Sequence, residues 1–365
     1  MTWPNPEMSA QVHALLQARV GDIEQIAPPT PISGALQLAV LEVMAKNAQN
    51  SLHEEEVTTL IWGSSLGAVS WFSTAFCDFP TPGFDWGQYN KYGKQPNSEG
   101  STGADFCLLI RFSEAHARAA ILQAKQAISK DQIGVHRVSP LREAEKKLPE
   151  PQILRLVDHG VARLSAIGVA NTNHAALDWV HYCGYWTTSF FCIPLSSVED
   201  VILGYKRSKE SVQKTLSKRY EEMAHLPSRS RAILREAVNL WQAHEHDTIE
   251  RNSSTKELVH LLALGASTPW DNLCPGWLHL EGKDAIEDFA TSTSTLMQVM
   301  TVNAGHSPEP STDPAPDAAP SGPAHTRSAV GFANQQRSQL DTTPYNTPRP
   351  PSARASSGTA LTRKR

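Results

Sequence analysis

The chain has no run of about 18 uninterrupted apolar residues, so a membrane-spanning helix is not expected. Its first residues, MTWPNPEMSAQ, lack the basic-then-apolar layout of a signal peptide. There is no C-x-x-C pair, and the five cysteines (Cys77, Cys107, Cys183, Cys192 and Cys274) are odd in number. Most stand among apolar neighbours, which reads as reduced core thiols in a cytoplasmic protein. No G-x-x-x-x-G-K-[ST] loop occurs and no G-x-G-x-x-G follows a strand, so nucleotide-driven motors and dinucleotide enzymes find no support. A strong excess of charge is missing too. The net charge of −4 argues against a globally basic nucleic-acid coat.

What is present is a core and a segregation of charge. Hydrophobic residues make up 40% of the chain and include nine Trp. Residues 1–104 carry −6, 105–240 carry +5, 241–304 carry −6 and 305–365 carry +3. Basic density peaks over 205–235, with nine Lys/Arg against three Glu, so a nucleic-acid surface would include Lys214, Lys218 and Arg219. A solvated helical face explains the same charges. Residues 305–365 hold ten of the 25 prolines and few large apolar residues, the composition of a disordered tail.

The informative stretch is TGADFCLLIRFSEAHARAAILQAKQ, residues 102–126. It reads as two apolar strands, 106–112 and 119–126, paired antiparallel across a short turn. With Phe112 opposite Arg118, Asp105 faces Lys125 and Cys107 faces Gln123. Alternation then puts Asp105, Gln123 and Lys125 on one face, and Leu122 and Ala124 on the other. Polar groups on an apolar hairpin carry a burial penalty unless paired or in use. A surface Asp–Lys ion pair is the plain alternative. Upstream, Gly34–Asn47 reads as a helix, and a second begins with Ser51 as N-cap and Glu54 at its third position. Glu54 shares a face with Val57 and Ile61, although acids in a first turn also serve the helix dipole. Gln152 opens a further helix after Pro151, and strands follow in LDWVHYCGY and SFFCIPL.

The hairpin resembles the core of the PD-(D/E)XK nuclease superfamily, with Asp105 as the Asp and Gln123-Ala124-Lys125 as the (D/E)-X-K element. Ala104 replaces the proline, and Gln123 replaces the acid as in the Mrr-like branch, where Q-X-K is usual. The resemblance spans roughly residues 50–190. It implies a restriction-endonuclease-like α/β (α+β) fold: a central mixed β-sheet flanked by helices, over residues 1–203. An α-helical appendage over 204–304 and the tail 305–365 would follow. It further implies a Mg²⁺- or Mn²⁺-dependent nuclease acting on DNA in bacterial defence against foreign DNA. Asp105, Gln123 and Lys125 would be catalytic residues, Glu54, Asp105 and Gln123 metal ligands, and Glu99 and Gln152 auxiliary residues. RNA is left open as a substrate, and a nuclease fold without cleavage is left open as a binding module or adaptor. The helical region or the tail would carry self-association or a partner protein.

Mg²⁺ takes oxygen ligands and keeps several waters, so one or two carboxylates suffice. Gln123 offers an oxygen without charge, which raises the weight on Glu54. If the basic segment meets duplex DNA, neutralising Lys214, Lys218 and Arg219 together lowers the log–log salt slope by about 0.9 per lost contact. An unchanged slope in the triple variant places DNA elsewhere.

Overall fold

The structure is a computed structural model. It describes residues 6–7, 10–14, 30–75, 83–89, 98–141, 147–170, 172–242, 248–294 and 297–302. The proposed tail, 305–365, and Cys77 lie outside the described residues.

Two long helices come first, α1 (Pro31–Asn50) and α2 (Glu54–Ala75). They lead to β1 (Gly83–Tyr89), the one-turn α3 (Glu99–Thr102), and the hairpin β2 (Phe106–Arg111) and β3 (His116–Gln126). Short strands β4 (Gln132–Gly134), β5 (Val138–Ser139) and β6 (Glu150–Pro151) precede α4 (Gln152–Ala166). A second hairpin, β7 (Val180–Trp186) and β8 (Ser189–Pro194), is followed by α5 (Glu199–Glu222) and α6 (Arg229–Gln242). The remainder is β9 (Thr248–Glu250), β10 (Lys256–Glu257), α7 (Leu258–Ser267), β11 (Leu278–Glu281), α8 (Lys283–Ser294) and β12 (Met297–Val302).

The mixed sheet runs β10-β8-β7-β3-β2-β1-β12, and β11 also pairs with β3. Strand β3 is its spine. β2 lies along one side of it, antiparallel; along the other, β11 covers its first half and β7 its second, β7 running parallel. Parallel neighbours need a crossover, which passes through α4. One sheet face packs on α1, α2 and α7 through Val40, Val57, Ile61, Leu122 and Leu261. The other packs on α4, α5, α6 and α8 through Ile121, Leu156, Tyr205, Trp241 and Phe289. Alternation along β3 supplies both cores.

The structure corrects three expectations. Residues 204–304 are not an all-helical appendage, because β10, β11 and β12 join the main sheet. Strands of two and four residues are too short to leave a periodic signal. The hairpin register moves by one pair: Arg118 stands opposite Ile110, not Phe112, because β3 already begins at His116. A shift of two residues keeps every side chain on its face. Third, Ser51 is not the N-cap of α2. It closes α1 in a left-handed conformation, φ 50°, with its N–H on Asn47 O. The start of α2 is instead bracketed by Glu56 Oε2, which accepts from His53 N at 2.9 Å.

Arg118 ties the last third of the chain to the spine. It is buried, and its guanidinium donates to the carbonyls of Gly265 in the last turn of α7 and of Thr268, Pro269 and Asn272 just after it, at 2.5–3.1 Å. Arg118→Met takes this donor from all four carbonyls, of which Pro269 O keeps the Asn272 N–H at 3.0 Å. A loss of about 3 kcal/mol is expected, the worth of one or two hydrogen bonds to a charged group, read from denaturant unfolding.

Candidate active site

The site forms where β3 outlasts β2. The backbone ladder ends with Asp105 N on Leu122 O at 3.0 Å, but β3 continues to Gln126. Two side chains then take the place of the missing strand. Asp105 Oδ2 accepts from Ala124 N at 2.8 Å, and Glu54 Oε2 accepts from Gln126 N at 3.0 Å. Glu54 stands at the first position of α2, on the opposite sheet face, and reaches round the strand end.

Asp105, Gln123 and Lys125 share the face covered by α4, as alternation required. Gln123 Nε2 donates to Asp105 Oδ2 and, at 2.9 Å, to Ala124 O. Gln152 Nε2 donates to Gln123 Oε1 at 2.7 Å. Lys125 Nζ lies 3.8 Å from Glu54 Oε1 and, although the residue is only 8% exposed, has no hydrogen-bond partner among the described residues. Glu99 is buried on α3, 3.7 Å from Arg137 Nη1. Both hydrogen bonds to Asp105 fall on Oδ2, so among the described residues Oδ1 is left for a ligand.

The structure therefore brings together Glu54, Glu99, Asp105, Gln123, Lys125 and Gln152. It does not join Lys214, Lys218 and Arg219 to them. Those three are exposed on α5; Lys218 pairs with Glu222, and Arg219 with Glu222 and Glu236, which neutralises part of the basic face.

Packing fixes the cluster. Gly103 ends α3 at φ 73°, and a Cβ there would meet Gln152 O at 2.5 Å, so only glycine lets α3 lie against the start of α4. Arg155, buried on α4, donates to Gly100 O, and to Pro140 O and Leu148 O at 3.0 Å. It also meets Glu150 at 3.4 Å, and Glu150 meets Lys209 at 3.2 Å. Sequence reasoning missed Arg155, Arg137 and Tyr182. Arg155 had a signal, a charge inside the apolar stripe of α4. Tyr182 had none: it stands beside Gln123 only through a parallel pairing between distant segments.

The run Gly63-Ser64-Ser65-Leu66-Gly67 matches the letters of a serine-hydrolase G-x-S-x-G elbow. It lies inside α2, with Ser65 Oγ donating back to Ile61 O at 2.7 Å, so it lacks the strand-to-helix turn that exposes a nucleophile. Among the described residues, Cys107, Cys183, Cys192 and Cys274 are buried and form no disulfide.

No family model, curated protein or solved structure matches the chain. No described helix is long and apolar enough to cross a membrane.

Burial pushes the Asp105 carboxyl up from near 3.8 to about 7; Glu99 and Glu54 add to the rise, while Lys125 and the Ala124 N–H oppose it. An acid raised on folding holds its proton in the folded state while the unfolded chain has released it. Stability from this group is thus present at low pH and lost as pH rises from about 4 through about 7. In EDTA, the melting temperature should fall between about pH 5 and about pH 8, and Asp105→Asn should flatten that fall. Parallel pH profiles for both proteins would contradict the assignment.

Proposed function

We propose that the protein is a metal-dependent nuclease that hydrolyses DNA phosphodiester bonds, acting in defence against foreign DNA. The observation that carries this reading is the gathering of Asp105, Glu54 and Gln123 around a buried lysine at the frayed end of a central strand. Asp105 and Glu54 offer carboxylate oxygens, and Gln123 carries an amide oxygen beside them. Oxygen donors with open positions for water suit Mg²⁺ or Mn²⁺.

Asp105 Oδ1, Glu54 and Gln123 Oε1 would hold the ion. Gln123 now turns its NH₂ to Asp105; rotating the amide turns its oxygen there and brings Nε2 toward Gln152. The residues present fit the group. When bound, the ion supplies charge that polarises a phosphodiester and acidifies water. Lys125, an ammonium without a hydrogen bond, supplies positive charge for the negative charge that builds on phosphate oxygens. Glu99, held by Arg137, keeps the local field negative beside Asp105.

A second reading, a binding module that keeps the fold without cleavage, is favoured by one observation. Asp105 and Glu54 each complete the hydrogen bonding of a strand N–H, which is a structural task in itself. Plasmid incubated with Mg²⁺ or Mn²⁺ against EDTA separates the two. Metal-dependent nicking is expected, abolished by Asp105→Ala and by Lys125→Ala with the fold kept. Nicking at the wild-type rate in either variant overturns the site. Glu54→Gln should weaken metal affinity more than Glu55→Gln or Glu56→Gln; equal effects return Glu54 to helix-dipole duty.

A further inference from the structure

Three buried polar atoms close to Asp105 have no hydrogen-bond partner: Lys125 Nζ, Gln152 Oε1 and the Tyr182 hydroxyl. Buried polar groups are normally paired, so three such atoms around one carboxylate point to a shared ligand. Their placement follows from the fold. Tyr182 neighbours Gln123 across the parallel β3–β7 pair and is wholly buried. Gln152 is bonded to Gln123, and Lys125 lies two residues further along the same face. The phenol also feels Asp105 and Arg137: Asp105 adds to the rise that burial gives its pKa, and Arg137 opposes it.

The chemistry of the orphans selects the occupant. Lys125 and Tyr182 are donors in search of an acceptor, whereas Gln152 Oε1 is an acceptor in search of a donor. A phosphate oxygen satisfies the donors but has no proton for Gln152. A cation satisfies Gln152 but offers Lys125 and Tyr182 no acceptor. Water, with two donors and two acceptors, meets all three and has a proton left for Asp105 Oδ1.

We propose that Tyr182 is a positioning residue which, with Lys125 and Gln152, holds one buried water beside Asp105. The water site stands on the orphaned atoms; its part in catalysis rests on the nuclease reading. There the water oxygen bonds phosphorus and one ester P–O bond breaks. One water proton ends on the leaving oxygen, and the other stays on the new phosphate or passes to solvent.

Crystal structures of the full chain and of Tyr182→Phe test this. The wild type should show a water within about 3 Å of Tyr182 Oη and Gln152 Oε1, and Tyr182→Phe should lose or displace it with the fold unchanged. Because the hydroxyl has no protein partner, Tyr182→Phe should melt at the same or a higher temperature. In plasmid cleavage it should lower kcat about tenfold and leave KM unchanged, a split that a packing role does not produce. A dry wild-type site overturns the proposal, as does full kcat in Tyr182→Phe. If the wild type is wet but never cleaves, the water site stands and the nuclease reading falls.

Discussion

The structure depends on how the end of β3 is completed. A strand that outlasts its neighbour leaves backbone N–H groups that must bond to something. Here the Ala124 and Gln126 N–H groups take carboxylates, Asp105 and Glu54, in place of a strand. That requirement draws two acids from different layers of the fold to one spot. It also leaves the Lys125 face with no β2 residue alongside. The clamp of Gly103 and Arg155, far from decoration, holds α3 and α4 against this end so that Glu99 and Gln152 close it.

Two demands then compete at the same carboxylates. As strand caps they need only accept hydrogen bonds, and burial drives Asp105 toward its protonated form. As ligands they need charge, which a divalent cation would restore. Gln123 could serve either state, since an amide presents a donor to Asp105 as it stands and would present an oxygen if rotated. A glutamate at position 123 would repel Asp105 in the absence of metal. The glutamine makes the metal-free hairpin stable in itself.

Much of this was legible in the sequence, for reasons that particular residues show. The face shared by Asp105, Gln123 and Lys125 follows from strand periodicity and survived a register shift, because a two-residue slip preserves parity. Val57 and Ile61 are buried on one side of α2, and Glu54 lies on the side read from its spacing. Other features left no local trace. Arg118 reads only as a residue beside the turn opposite Phe112, yet it binds four carbonyls some 150 residues away. β10 and β11 are too short to announce themselves. Tyr182 acquires its place only from the parallel pairing, which no periodicity within either segment encodes. Local pattern gave faces and elements; long-range contacts decided neighbours.

The central claim, that this strand end is a cation site built on Asp105, is tested most directly by titrating Mn²⁺ into the full chain and following free Mn²⁺ by electron paramagnetic resonance. The account predicts one bound ion per chain near pH 8, displaced by excess Mg²⁺, weakened near pH 6 as Asp105 takes up its proton, and lost in Asp105→Asn. Mn²⁺ binding of the same strength in Asp105→Asn, or none in the wild type, would contradict it.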